Sequence, residues 1–310
     1  MLVRSILVFA ALTIGYCLLL PYLPPPRPGL TGGTQFEQNR MREESLVCFN
    51  RKPDVIIVGS SISAGLGTSL PEGWQSMAMS GFSSIEGLEI IAGSSLEPCT
   101  ILVESNVVRK SDYQPIGAIE QKVKSLLPSF RTCNKPAHTL LRAIGNAAGM
   151  QGGNAKVKEP LDDVPDKRTR SEEVFQVSLE RRLKSETKEM DVELLNSELD
   201  RMVNLVERLE SRGFAFAFMR VPETKETQGS VRKQQLRAAF EKAFPPSDYA
   251  WFGDEENIGM YSSNDALHLT AQSALRFSRK LQLGLSDSEQ YLTQQKDLRV
   301  AEKPEQLKTK

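Results

Sequence analysis

A short apolar run that ends in small hydroxyl residues limits most strongly how this chain can fold. The run Asp54–Val58 (DVIIV) leads into Gly59-Ser60-Ser61, which is typical of a buried parallel strand that enters a tight turn. Two more short runs follow, Gln75–Met79 and Thr100–Glu104, and Ser83–Ala92 between them has helical spacing. This alternation predicts an α/β fold with a parallel sheet covered by helices on both faces. The functional site is expected at the carboxyl ends of the strands, where such sheets bind their ligands.

The second half of the chain continues the alternation after an interruption. Residues 129–189 contain a Gly-rich patch and a stretch of mixed charge, and they are predicted to be an insertion or mobile loop. An apolar stripe in Met190–Arg212 then predicts a helix, and Phe214–Met219 (FAFAFM) predicts a strand. A last helix is expected at Thr270–Leu283, with Gly284 placed to end it.

The amino-terminal segment departs from this globular pattern. No charged residue occurs in Ser5–Leu23, a length close to the lower limit of about 17 residues for a membrane-spanning helix. A proline run, PYLPPPRPG, follows where a signal peptide would have a cleavage site of small residues. A retained anchor is therefore favoured over a cleaved signal. The predicted parts are an anchor or uncleaved signal at 1–23, a Pro-rich linker at 24–50, an α/β domain at 51–284 and a polar tail at 285–310.

Composition excludes some classes of partner. Lys plus Arg and Asp plus Glu number 39 each, so nothing indicates a nucleic-acid partner bound through phosphate contacts. No CxxC or CxxH spacing occurs among the four cysteines, and neither a metal nor a cofactor is expected. In an oxidising compartment Cys48, Cys99 and Cys133 could form one disulfide, whose pairing the sequence leaves open.

The residues that can carry chemistry are a serine and one of only two histidines. Ser61 follows the first predicted strand, where a hydroxyl nucleophile would be exposed, although a Ser-Ser turn that caps a helix explains the same residues. His268 lies three residues after Asp265, a spacing that lets the carboxylate orient the imidazole. The second histidine, His138, has no acidic residue nearby and is interpreted as incidental.

These residues occur in an order that resembles the SGNH/GDSL hydrolase family. Ser61 lies in a GxSxS-like turn, Gly81 follows the second predicted strand, Asn106 follows the third, and Asp265 and His268 form a DxxH near the carboxyl end. The resemblance implies a flavodoxin-like three-layer sandwich with Ser61, Asp265 and His268 as the catalytic triad. It also implies an oxyanion hole made of the Ser61 and Gly81 amides and the Asn106 side chain.

The same resemblance implies an esterase or O-acyltransferase of the cell envelope, anchored by residues 5–23 with its catalytic domain outside the cytoplasm. Its substrate would be an acyl ester of a glycan or lipid, and hydrolysis and transfer both remain open. The sequence departs from the family at two blocks. Ser60 stands where Asp is usual, and only Asn106 of the GxND block is present. A non-catalytic relative that binds envelope polysaccharide or a secretion partner is therefore the alternative.

Overall fold

A computed structural model of the chain describes residues 2–19, 34–48, 52–109, 113–127, 130–135, 139 and 171–306. The chain divides into two compact units, one of Met1–Arg51 with Ile116–Lys156 and one of Lys52–Pro115 with Val157–Lys310. His138, the start of the predicted linker and most of the predicted insertion lie outside the described residues.

The larger unit is built on a sheet of five parallel strands in the order β2-β1-β3-β4-β5. The strands are β1 (Val55–Gly59), β2 (Trp74–Ala78), β3 (Thr100–Glu104), β4 (Ala215–Met219) and β5 (Ala250–Phe252). The predicted α/β class is confirmed, and the strand order is compatible with a flavodoxin-like fold. Strand β2 lies on one side of β1 and β3 lies on the other. The order of strands across the sheet therefore reverses at β1, and a ligand is expected to bind in the crevice between the carboxyl ends of β1 and β3.

Helices of the larger unit cover both faces of the sheet. They are α3 (Ser61–Ala64), α4 (Ser84–Ala92), α6 (Glu172–Glu186), α7 (Val192–Glu210), α8 (Lys225–Gln228), α9 (Val231–Ala243) and α10 (Ala271–Gln306). On one face Ile57 and Leu102 share a buried core with Phe277 of α10. On the other face α4 lies close to β1. The short distance is seen at Gly87 of α4, where an added Cβ would be 2.9 Å from the Val58 side chain.

The predicted end of the last helix at Gly284 is wrong. Helix α10 continues to Gln306, through most of the segment predicted to be a polar tail. Gly284 has a packing role instead, since an added Cβ would lie 2.9 Å from the ring of Phe252. A glycine inside a helix can serve close packing as well as chain termination, and the sequence pattern does not distinguish the two.

The smaller unit contains α1 (Leu2–Leu19), α2 (Gln35–Val47) and α5 (Ala118–Leu126). Helix α2 lies within the predicted linker and begins at a capping box formed by Thr34 and Glu37. Its buried Glu44 accepts hydrogen bonds from Lys124 Nζ at 2.6 Å and from the Thr132 amide at 2.7 Å. Much of the buried face of α2 is polar, which is why apolar periodicity does not indicate this helix.

Helix α1 exposes large apolar side chains, those of Val8, Leu12, Ile14 and Leu18. Within the described ranges, no helix has both the length and the hydropathy that crossing a membrane requires. Cys48, Cys99 and Cys133 carry free thiols, so no disulfide joins any two of these three residues.

Candidate functional site

Ser61 lies at the carboxyl edge of the sheet, at the first position of the short helix α3. Ser60 ends the turn after β1, and its Oγ caps α3 by accepting the Ile62 amide at 3.1 Å. The Ser61 side chain is half-buried. Neither its Oγ nor its backbone N–H forms a hydrogen bond with the part of the chain that the structure describes. Ser61 thus offers a hydroxyl and an amide donor at the same edge, as an acyl-transfer nucleophile requires.

The side chain of Glu104 holds this turn in place through hydrogen bonds. It is the last residue of β3, and its buried carboxylate accepts hydrogen bonds from the Ser60 amide at 2.8 Å, the Ser60 Oγ at 2.7 Å and the Ser63 amide at 3.1 Å. The Ser63 hydroxyl donates to the same carboxylate. Burial raises the pKa of Glu104, and these hydrogen bonds oppose that shift. The resemblance to the hydrolase family assigns no role to Glu104, and the only signal is an acidic residue that ends an apolar strand.

Gly59 allows Glu104 to come this close. A Cβ added to Gly59 would lie 2.4 Å from Glu104 Oε2 and 2.2 Å from Ser63 Oγ, far inside van der Waals contact. Ser84 fixes the strand end from the other side, because its Oγ donates to the carbonyl of Glu104 at 2.6 Å. The carboxylate is therefore held in place through its own backbone and through the turn that it binds.

The predicted acid and base are joined in one tight loop. An antiparallel bridge between Ser263 and Leu269 closes the loop. Inside it, Asp265 Oδ2 lies 2.8 Å from His268 Nδ1, while Asp265 Oδ1 accepts the backbone amide of His268 at 2.8 Å. The His268 side chain is 36% exposed. With Nδ1 next to the carboxylate, Nε2 is the ring nitrogen left to act as a base.

The backbone of this loop is strained at the residue between the pair. Ala266 has a φ of 59°, in the left-handed region that non-glycine residues rarely adopt. Its side chain is fully buried against Phe175 and Leu179 of α6. The packing thus compensates for a backbone conformation that costs about 1–3 kcal/mol, and it fixes the angle at which Asp265 meets His268.

Asp265 is held as a carboxylate. Burial alone would raise its pKa, but hydrogen bonds from the side chain and amide of His268 outweigh this effect and lower the pKa to about 2. A carboxyl whose pKa is lower in the folded chain stabilises the fold at neutral pH. This contribution is lost as the pH falls from about 4, the ordinary Asp value, to about 2.

We therefore expect Asp265→Asn to lower the free energy of unfolding at pH 7 and to have less effect as the pH approaches 2. Urea unfolding of both proteins at several pH values between 7 and 2 measures the difference. A difference that stays constant over this range would contradict the assignment, because it would mean that titration of Asp265 does not contribute to stability.

The turn of Ser61 and the loop of His268 pack on one buried core, but the structure does not join the two side chains. Ile62, next to Ser61, and Leu269, next to His268, belong to the same buried core. Among the described residues, however, no hydrogen bond connects Ser61 Oγ with the imidazole of His268. Catalytic hydrogen bonds are often looser without substrate, so the arrangement is compatible with a triad that is completed when an ester binds.

The two other predicted oxyanion residues differ in whether an N–H group is left to bind an oxyanion. Gly81 has a φ of 86°, its carbonyl accepts a hydrogen bond from Arg109 at 3.2 Å, and its N–H has no partner in the described ranges. Asn106 is engaged, because its Nδ2 donates to the carbonyl of Val221 and to Glu223 Oε1, both at 2.8 Å. Both side-chain hydrogens of Asn106 are thus used to fix the chain after β4, and none is left for an oxyanion.

A cavity lined by both charged and apolar side chains, Leu236 and Ile258 among the latter, lies beside Asn106 at the carboxyl ends of β3 and β4. Its walls carry charges of both signs, which pair with one another: Arg237 binds Glu255 at 2.7 Å, and Lys233 binds Glu223. Such a wall presents donors and acceptors without an excess of either charge, which suits a neutral ligand rich in hydroxyl groups. In the described ranges no group of three His, Cys, Asp or Glu side chains could hold a metal ion.

Comparisons with protein-family models, with curated proteins and with solved structures gave no match.

Proposed function

We propose that this chain is a serine esterase or O-acyltransferase that works through an acyl-serine intermediate on Ser61. The observation that carries the proposal is the hydrogen-bonded pair of Asp265 and His268 in a loop that packs on the same core as the turn of Ser61. A serine at a strand end, an oriented imidazole and unpaired backbone amides are the parts that acyl transfer needs.

In this mechanism Ser61 Oγ attacks the ester carbonyl while His268 Nε2 takes the hydroxyl proton. Asp265 keeps the ring in the productive tautomer and stabilises the imidazolium. The oxygen of the tetrahedral intermediate receives hydrogen bonds from the amides of Ser61 and Gly81. His268 then returns the proton to the leaving alcohol. In the second half of the reaction His268 takes a proton from water or from an acceptor hydroxyl, whose oxygen attacks the acyl-serine. The bond to Ser61 Oγ breaks, His268 gives the proton to that oxygen, and the product is the free acid or the new ester.

We also propose kinship with the SGNH/GDSL hydrolases, supported by the order of Ser61, Gly81 and the DxxH pair along a sheet of compatible topology. Asn106 departs from that family's pattern, because its amide group binds Val221 and Glu223. The oxyanion hole that we propose therefore consists of two backbone amides, and Asn106 shapes the cavity beside it.

The substrate that we propose is an acyl ester of a hydroxyl-rich molecule, a glycan or a lipid headgroup. The cavity beside Asn106 supports this choice, because its charged side chains are paired. Either water or a second hydroxyl can be the acyl acceptor, and the acyl-serine step is common to both reactions.

The location that we propose is the outer side of the cell membrane, with residues 5–23 as the membrane contact. The exposed apolar side chains of α1 support it. A reporter active only outside the cytoplasm, fused after Leu30, is expected to be active, whereas a reporter active only inside the cytoplasm should be silent at the same position. The reverse pattern would contradict the proposed location.

Hydrolysis of p-nitrophenyl acetate by the full-length chain tests the proposed function. Nitrophenolate release is expected to exceed the rate in buffer and to be saturable. A rate equal to that of the buffer would overturn the proposal. That result would favour the alternative, a non-catalytic protein that binds envelope polysaccharide or a secretion partner. The missing hydrogen bond between Ser61 and His268 and the engaged Asn106 are the observations on its side.

A further inference from the structure

The backbone amides of the turn after β1 are divided in a specific way. Ser60 and Ser63 donate theirs inward to Glu104, and Ile62 donates its amide to Ser60 Oγ. Of the amides from 60 to 63, only that of Ser61 has no partner in the part of the chain described. Without Glu104, the amides of Ser60 and Ser63 would also lack these acceptors. Of its amide hydrogen bonds, the turn would keep only the cap of the Ile62 amide by Ser60 Oγ and the bond from the Ala64 amide to the Ser60 carbonyl.

Glu104 is suited to this task by its burial and its reach. The residue is 1% exposed, and one carboxylate receives two amides and two hydroxyls from the same four-residue turn. In a buried site an amide without an acceptor is costly, so these contacts strongly favour the observed turn. Among the described residues, the carboxylate forms no hydrogen bond with Asp265 or His268, and its effect on the site is therefore exerted through the turn.

We infer that Glu104 is a positioning residue of the site. It binds the amides of Ser60 and Ser63, so that the Ser61 N–H is the only amide of this turn that faces the reacting oxygen. This inference rests on the proposed function, because it assigns the donor of the oxyanion hole in that mechanism. The carboxylate acts here as a hydrogen-bond acceptor. Its charge is not what the site requires, since a negative charge under the turn would oppose the developing oxyanion.

Three variants of Glu104 separate acceptor geometry from charge. In Glu104→Gln the amide oxygen can replace Oε2 and keep three of the four contacts, while the new NH₂ group donates to Ser60 Oγ. Glu104→Asp shortens the side chain by one methylene and withdraws the carboxylate from the turn. Glu104→Ala removes the acceptor altogether, and the freed amides of Ser60 and Ser63 must find other partners.

The experiment measures kcat and KM for p-nitrophenyl acetate at a temperature at which every full-length variant is folded by circular dichroism. With Glu104→Ala, kcat is expected to fall about 100-fold, the loss typical of a misplaced oxyanion donor, with little change in KM. The kcat of Glu104→Asp should lie between those of wild type and Glu104→Ala. The kcat of Glu104→Gln should stay within about tenfold of the wild-type value because most acceptor contacts persist. A merely structural role would change the folded fraction and leave kcat per folded molecule unchanged.

Hydrogen exchange of the peptide covering 59–66 gives a readout that does not depend on catalysis. Exchange at the turn is expected to be faster in Glu104→Ala than in wild type and close to wild type in Glu104→Gln. Equal exchange in all three proteins would overturn the positioning role whether or not the ester is hydrolysed. A Glu104→Gln variant as inactive as Glu104→Ala would overturn it too, by showing that charge matters. Failure of the wild type to hydrolyse the ester, with the expected exchange pattern, would reject the proposed function and keep Glu104 as the anchor of the turn.

Discussion

Replacing Ser61 or His268 by alanine is expected to reduce kcat for p-nitrophenyl acetate by about 10⁴-fold or more, the loss typical of a triad member. In the proposed mechanism, Ser61→Ala removes the atom that forms the covalent bond. His268→Ala removes the base of that mechanism and leaves Asp265 without its ring partner. Steady-state kinetics of the purified full-length proteins measure the loss.

Two further variants make this result specific. The double variant Ser61→Ala/His268→Ala is expected to be no worse than either single variant, because the residues of a triad act as one unit. Ser185→Ala is the matched control, since Ser185 is an exposed serine of α6 whose Oγ donates to the nearby carbonyl of Arg182 and bonds to no other described residue. Losses that add in the double variant, or an equal loss in the control, would contradict a shared catalytic role.

Gly59→Ala is expected to damage both stability and activity. The new Cβ would lie 2.2 Å from Ser63 Oγ and 2.4 Å from Glu104 Oε2, so the turn and the carboxylate cannot both stay in place. Overpacking of this kind lowers the free energy of unfolding by about 1–3 kcal/mol. The displaced Ser61 amide should lower kcat in the molecules that remain folded.

Gly65→Ala provides the comparison for this loss. Gly65 follows α3 with a φ of −62°, and a Cβ added there would meet nothing within 4 Å. Its free energy of unfolding should stay within about 0.5 kcal/mol of wild type, as for surface substitutions in general. Urea unfolding followed by the fluorescence of Trp74 and Trp251, which lie on β2 and β5, measures both variants. Equal losses would show that the close approach of Glu104 to Gly59 is unimportant.

The sequence predicts the centre of the fold because those strands are buried on both faces. The run Thr100–Glu104 matches β3, and Phe214–Met219 differs from β4 by one residue, since a continuous apolar run is a strong signal for a central parallel strand. Strand β5 at Ala250–Phe252 is an edge strand of three half-buried residues, too short to give a pattern. Helix α2 escapes the same reasoning because its buried side chains include Asn39, Glu43 and Glu44.

The local part of the site is predictable from the sequence, and the long-range part is not. His268 follows Asp265 by three positions, and this spacing alone indicates the pair that the structure places at 2.8 Å. Glu104 lies 44 positions after Ser60, so its contact depends on the pairing of β1 with β3. Asn106 shows the converse, because its position after β3 is predicted correctly while its partners, Val221 and Glu223, come from another strand end.

Ser61 is the proposed nucleophile, and the adduct of a fluorophosphonate probe tests this role most directly. After the full-length chain reacts with the probe, proteolysis and tandem mass spectrometry identify the modified residue. The phosphonyl mass is expected on Ser61, and it should be absent from Ser61→Ala and much reduced in His268→Ala. An adduct on another serine, or the same labelling in wild type and Ser61→Ala, would contradict the claim.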